Sequence, residues 1–583
     1  MGSTPQTEAS EAPPPARPAW WPGPDWWGWP AWGAAKVLAG WLARLGASRG
    51  FLLTVLAIAL LWPGITRLPP LDREEARTAE ATIEMLQPAG PALASPAPGV
   101  LRPVGDTSLQ EAAVSLLSSP AQRDIWVNRV PGALAALAAV LLTYRIASVL
   151  YGATAGFVAG LLLALSVLLG AEARMATAGA PLLMLILLAQ AALLEVWRRR
   201  DGPPPSVLEA WAAPSVFWMA IGFGLLLTEP TILLVPGGTL LGLAIVERRA
   251  RWMLALRPGF GVLIVLAILL PSVGDVAGVA PGRHGVGLPP GSFLALFVLT
   301  FWPGSLFAAR ALPWVWSDRR RPETRFLLAW IVPSWVVFEA IATKLPQDVL
   351  PTYPAIATLT AGALCMPPVA ARLGAVGRFL ERSWGALWLA AGLALALAGP
   401  VLMLWLAPRV TALDLFAAMI AVVAVVQTSR QAKRPAPRIA LFFAAVAVLA
   451  ISLSTLMVVA PALQTIWLSP RIAEAVRTLR PCPDSVLASS SYSEPSLVYL
   501  VGHETRLIGP EAAAEFLHGA PACGLALIDA RESGAFLDRA RTLGLTPRAL
   551  TRIDGIDYAA GRRLALTLYV AAPASPKAAK PRP

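Results

Sequence analysis

Charged residues are scarce in this chain: they make up 14% of its 583 residues, while 56% are hydrophobic. A soluble protein of similar size carries about 25% charged residues, so the composition argues against an ordinary soluble enzyme. Histidine is rarer still. His284, His503 and His518 are the three present, scattered and without ligand spacing, which argues against a histidine-based metal site. Of the three cysteines, Cys365 lies within an apolar run and reads as an inert small hydrophobe. Cys482 and Cys523 fall in a polar C-terminal region. No secretory signal peptide fits the start of the chain. The first apolar block begins near Phe51, after a long polar segment, and reads as a signal-anchor helix.

What abounds is apolar sequence in blocks of about 17–22 residues, the length that spans a bilayer core. Hydropathy predicts spans near 51–64, 131–150, 153–170, 179–197, 211–227, 230–247, 257–274, 291–312, 325–343, 349–368, 386–407, 411–428 and 438–461. This is a polytopic α-helical membrane protein with about 13 transmembrane helices. Basic residues outnumber acidic ones, 48 to 35, for a formal net charge of +13. Such an excess can mark a nucleic-acid binder, but here it gathers in short loops. The clusters are Arg198 to Arg200, Arg248 with Arg249 and Arg251, Arg319 to Arg321, Arg372 through Arg382, and Arg430 through Arg438. With a cytoplasmic N-terminus, thirteen spans place every cluster on the cytoplasmic side, so the count and the positive-inside bias agree. The partner these charges imply is anionic lipid, with no nucleic acid.

Three regions follow. Residues 1–50 read as a disordered, Pro/Trp-rich cytoplasmic N-terminus whose tryptophans, Trp20 to Trp41, suit an interfacial belt. Residues 51–469 form the transmembrane domain, with a periplasmic loop at 65–130. Residues 470–583 form a small periplasmic α/β domain with a disordered tail. In that last region short apolar runs (485–488, 525–528, 564–570) alternate with helical patterns at 510–518 and 533–543. Cys482 precedes one predicted strand and Cys523 begins another, so an exported domain is expected to bridge them.

The periplasmic loop opens with a carboxylate cluster: Asp72, Glu74 and Glu75. Ala76, Ala79, Ile83 and Leu86 recur at helical spacing after it, predicting an amphipathic helix along the membrane face with its carboxylates on the polar side. A carboxylate at the outer face can deprotonate an acceptor hydroxyl, hold a cationic acceptor or bind a divalent cation. The alternative from the residues alone is a solvated face pairing with Arg73 and Arg77.

The stretch PLDREEARTAEATIEML resembles the first-loop signature, close to D-R-D-E-x-R-x-A, of a bacterial polyprenyl-phosphate-sugar glycosyltransferase family. That family includes lipid A aminoarabinose transferase and the protein O-mannosyltransferases. Further resemblances follow in order: LRPVGDTSLQEA to K-K-P-x-G-x-x-W-L-Q-A, NRVPG to R-x-P-S, and ARMATAGAPLL to A-R-x-A-T-x-D-A-x-L-L. ATKLPQDVLPTYP resembles T-K-L-P-H-Y-x-L-P-x-Y-P, and GIDYAAGRR a terminal G-x-N-Y-S-x-G-R element. The ordered matches cover most of 60–370 and 480–570.

The resemblance implies a C-type glycosyltransferase (GT-C) fold, a polyprenyl-phosphate-sugar donor, and a cell-envelope acceptor such as lipid A, another glycan or a protein. It implies a multi-pass protein of the bacterial inner membrane working at the periplasmic face. Glu74 stands where the family has its catalytic or acceptor-binding Asp, with Glu75 and Asp72 beside it. Arg77, Arg102, Arg129 and Lys344 occupy basic positions that would meet the donor phosphate. No cofactor is implied, and a divalent cation is left open. Six polar positions depart from the pattern: Glu74, Arg102 and Ser108 replace Asp, Lys and Trp, Gly179 replaces Asp, Glu229-Pro230 replaces Lys-Gly, and Gln347-Asp348 replaces His-Tyr. Such changes on a retained scaffold leave a second reading, a catalytically inactive paralogue that binds lipid or scaffolds an envelope assembly.

Overall fold

The computed structural model describes residues 48–71, 74–86, 104–203, 206–227, 230–248, 250–272, 286–366, 374–407, 410–434, 437–502 and 504–571. The expectations placed on residues 1–47 and on Asp72, Arg102 and Glu229 lie outside them. The chain divides into two compact units, Met1–Leu52 and Leu53–Pro583. The described part of the first unit is the start of a helix, where the Ser48 hydroxyl accepts the Phe51 N–H at 3.1 Å, an N-terminal cap.

Helices run through the chain in the order α1 Arg49–Leu61, α2 Glu74–Leu86, α3 Val104–Leu117, α4 Ile125–Tyr151, α5 Ala153–Leu165, α6 Val167–Glu172, α7 Gly179–Arg198, α8 Val207–Leu226, α9 Thr231–Glu247 and α10 Pro258–Leu269. There follow α11 Ser292–Thr300, α12 Gly304–Asp318, α13 Pro322–Ala340, α14 Tyr353–Cys365, α15 Ala375–Leu406, α16 Ala412–Gln431 and α17 Pro437–Ser454. A helix lies in every predicted span. Among the described residues, six helices are long and apolar enough to cross a membrane, or seven if the bent pair α11 and α12 is one span. Four more apolar helices are only 10–17 residues long. The predicted span 291–312 is not one straight helix. Its two halves meet at 118°, and Pro303, which has no N–H to donate, sits at the break.

The chain is a multi-pass membrane protein, and its helices pack through small residues. Ala135, Ala136 and Ala139 of α4 face Ala155 and Ala159 of α5 in one buried core with Leu183, Ile186 and Leu187 of α7. Lipid tails are as apolar as leucine, so such helices associate by close packing, which small side chains permit.

The C-terminal region adds α18 Leu468–Leu479, α19 Pro495–Val501, α20 Pro510–Gly519 and α21 Ser533–Thr542. A two-stranded ribbon, β1 Val286–Gly287 with β2 Thr343–Lys344, belongs to the helical part. The C-terminal sheet has β3 Val486–Ser489, β4 Arg506–Leu507, β5 Gly524–Asp529, β6 Pro547–Asp557 and β7 Arg562–Ala571, in the order β4-β3-β5-β7-β6. β5 is buried along its whole length, which is why GLALID is continuously apolar until its last residue. β3 and β5 are parallel, with Val486 opposite Gly524. That register brings the residues just before each strand together, and Cys482 and Cys523 are bridged with Cα atoms 5.3 Å apart. The expected pairing is present. Replacing both cysteines by serine should destabilise this region by about 4 kcal/mol on the chain-entropy estimate for a loop of this length; a denaturant midpoint with and without reductant measures it.

Candidate functional site: a carboxylate and arginine cluster at the start of α2

The first turn of α2 carries Glu74 and Glu75, where a helix N-terminus favours negative charge. Their environments are opposite. Glu74 is exposed and Glu75 is fully buried. The Glu75 carboxylate meets the buried Arg129 of α4 twice, Nε to Oε1 at 2.7 Å and Nη2 to Oε2 at 2.8 Å. Oε2 also accepts the Leu71 N–H at 2.8 Å, and Oε1 accepts the Ala176 N–H at 2.9 Å. Arg129 directs its other donors to the carbonyls of Ile65 (2.9 Å), Leu68 (2.7 Å) and Pro69 (2.8 Å). All five guanidinium N–H groups and about four carboxylate lone-pair sites are therefore occupied.

This corrects two expectations. Glu75 has no free lone pair with which to take a proton, and Arg129 has no donor left for a phosphate. Together they tie the segment 65–71, α2, α4 and the loop 173–178 to one another. The expected polar face of α2 is corrected too. Glu75 and Glu80 lie on its buried side with Ala76, Ala79 and Ile83, because each carboxylate has an arginine opposite it. Glu80 takes Arg123 at 2.9 Å, and the same guanidinium donates to the Tyr499 carbonyl at 2.6 Å. Ala79, Ile83 and Tyr499 pack as one apolar cluster. The first-loop helix is thus sealed against α19 of the C-terminal region.

Arg77, three residues after Glu74, is exposed. Lys344 is buried, and its Nζ donates to the carbonyls of Glu339 (2.9 Å) and Ile341, with the Phe293 ring centroid 5.6 Å away. Two of its three donors thus cap the end of α13. The segment after it, 346–352, packs against α6 and α7, with Asp348 accepting the Leu345 N–H at 2.9 Å.

Two buried charges, at the end of α6 and just after it, were not anticipated: Glu172 and Arg174. Arg174 donates to the carbonyls of Pro63 (2.7 Å), Gly170 and Leu60. Glu172 accepts the Thr177 hydroxyl at 3.1 Å. Burial pushes its carboxyl up to about 7, against the opposing effect of that hydrogen bond, and the charge of Glu74 raises it further. A signal was available in the sequence, since a carboxylate directly after an apolar run is out of place unless something holds it. Among the described residues no three His, Cys, Asp or Glu side chains gather as metal ligands would.

Cavity size does not mark the site. A cavity of about 650 Å³ lies between α9 and α13, lined by Ile245, Val246, Leu328 and Val332 with Arg319, Arg320 and Arg325 at its rim. None of the carboxylates above lines it, and its lining is chiefly apolar.

The helical bundle with its bent pair and the small C-terminal α/β region together form the GT-C fold. Over 91% of this chain and 98% of theirs, two solved structures of ArnT from Cupriavidus metallidurans share it. One is the apo state (TM-score 0.62, 19% identity) and one is bound to undecaprenyl phosphate (TM-score 0.64, 18% identity). The sequence model of the dolichyl-phosphate-mannose-protein mannosyltransferase family matches residues 112–274. No curated protein matches the chain. The resemblance read from the motifs is borne out by both findings.

Proposed function

We propose that this protein is an integral-membrane glycosyltransferase that moves a sugar from a polyprenyl-phosphate donor to a cell-envelope acceptor at the periplasmic face of the bacterial inner membrane. The observation that carries this reading is the division of labour in the first turn of α2. Glu75 is consumed by Arg129, which fixes the helix, while Glu74 is turned outward on that fixed helix, with Arg77 exposed one turn on. The GT-C fold and the undecaprenyl phosphate held by the ArnT structure support the donor class.

In this reading Glu74 takes the proton of the acceptor's attacking group, as a general base. The acceptor atom bonds to the anomeric carbon, the bond from that carbon to the phosphate oxygen breaks, and polyprenyl phosphate leaves with the electron pair. Arg77 and, by the resemblance, Arg102 supply cationic partners for the charge developing on that phosphate. Lys344, two of whose donors go to carbonyls among the described residues, serves the donor through its third N–H. Asp72, two positions earlier in the sequence than Glu74, is by the resemblance a further carboxylate for this role. The N-terminus is cytoplasmic and the 470–583 region periplasmic, an orientation that the Cys482–Cys523 bridge supports, because disulfides persist in oxidising compartments.

The test is to supply the purified protein with a panel of polyprenyl-phosphate sugars and envelope acceptors, and to follow release of polyprenyl phosphate. Release with at least one donor is expected. No release across the panel would favour the inactive lipid-binding paralogue.

A further inference from the structure

Gly179 opens α7, the 20-residue helix that runs to Arg198. A Cβ placed there would lie 2.2 Å from Oε2 of Glu172 and 2.9 Å from its carboxyl carbon. The volume that any side chain at 179 needs is already filled, and the group that fills it is a carboxylate. A side chain at 179 would have to displace the Glu172 carboxylate from this space. The position is also one of the departures from the family pattern, which has an Asp there.

Contacts tie the loop after this carboxylate to α2, the helix that carries Glu74. The loop that follows it is bonded to α2 through Glu75, whose Oε1 accepts the Ala176 N–H at 2.9 Å. The Ala176 carbonyl accepts from Gln110 at 3.2 Å, and Gln110 lies 3.5 Å from Thr82 of α2. On the other side α4 closes tightly on the same loop, since a Cβ at Gly132 would lie 3.0 Å from the Met175 carbonyl. The loop cannot shift without breaking these bonds, and beyond burial the charge of Glu74 also raises the Glu172 carboxyl.

We propose that Glu172 is the second carboxylate of the transfer site, standing in the space of a side chain at 179 and pairing with Glu74 to take up the acceptor's proton. The inference rests on the glycosyltransferase reading above. As the acceptor's bond to hydrogen breaks, the proton passes to the Glu74–Glu172 pair and the acceptor atom bonds to the anomeric carbon. Polyprenyl phosphate departs with the electrons of the broken bond, and the pair later returns the proton to water. A neighbouring negative charge raises a carboxyl's affinity for a proton, which is the direction in which Glu74 acts on Glu172. Burial that brings Glu172 to about 7 suits a group that exchanges a proton near neutrality.

The test moves the carboxylate. Glu172→Gln and Glu172→Ala should each lower turnover about 10²-fold, the lower end of the range for an acid/base group, while leaving KM for the donor unchanged. Gly179→Ala alone should lower the melting temperature and the turnover, because its Cβ collides with Oε2, but should be tolerated in a Glu172→Ala background. The double variant Glu172→Ala/Gly179→Asp should recover at least tenfold of the turnover lost in Glu172→Ala. Unchanged turnover in Glu172→Gln, or no recovery in the double variant with the melting temperature intact, would overturn the proposal. Glu74→Gln is run alongside. If it abolishes turnover while Glu172→Gln does not, only the role of Glu172 falls. If the parent protein turns over no donor, the glycosyltransferase reading and this inference fall together.

Discussion

Arg129→Ala and Glu75→Ala should each cost the fold about 3–5 kcal/mol, the range for breaking a buried pair by removing one partner. Both side chains are fully buried. Truncating Arg129 leaves the Glu75 carboxylate with two backbone N–H groups, from Leu71 and Ala176, and no countercharge. It also leaves the carbonyls of Ile65, Leu68 and Pro69 without the donors they have now. Removing Glu75 strands a guanidinium instead. The double variant should cost less than the sum of the two, because each single change leaves an uncompensated charge that the double one does not. Arg129→Lys should fare poorly as well, since an ammonium has three donors and cannot make a planar bidentate pair. Denaturation of the detergent-solubilised protein reads the stabilities. A single variant of parent stability would show that the pair is not what ties α2 to α4.

Glu74→Gln should leave stability close to the parent and lower turnover by about 10²–10⁴-fold, the usual contribution of an acid/base group. The contrast with Glu75 makes this informative. The two residues are adjacent, identical in type and in the same helical turn, yet one is exposed and the other holds four hydrogen bonds within the protein. If chemistry is carried by Glu74, stability and turnover should separate cleanly between the two positions. Glu75→Gln should lose stability first, and turnover only as the helix loosens. Full activity in Glu74→Gln would remove the base from the mechanism proposed above, and Asp72 would be the next carboxylate to test.

The scaffold is legible in the order of the amino acids. Apolar blocks placed a helix in every predicted span, because a bilayer core leaves backbone groups no partner other than their own helix. Alternating apolar runs in the last hundred residues gave the strands at β3, β5 and β7, each of which packs a face against the core. The motifs pointed to the GT-C fold, and the cysteines that precede two parallel neighbouring strands announced their own bridge.

What each charged residue does is settled by packing in three dimensions. Nothing local separates Glu74 from Glu75. That Glu75 meets Arg129, 54 positions away, follows from how α4 crosses α2, and a carboxylate's availability depends on which lone pairs its neighbours have filled. The motif counted Arg129 among the phosphate ligands because it records a residue type and not the direction in which its donors point. Glu172 was passed over for the converse reason. Gly179 read as a lost carboxylate, whereas in space the carboxylate is present, supplied from seven residues earlier and lodged where the missing side chain would be. One-dimensional comparison sees position 179 empty of charge; only packing shows that the volume beside it is charged.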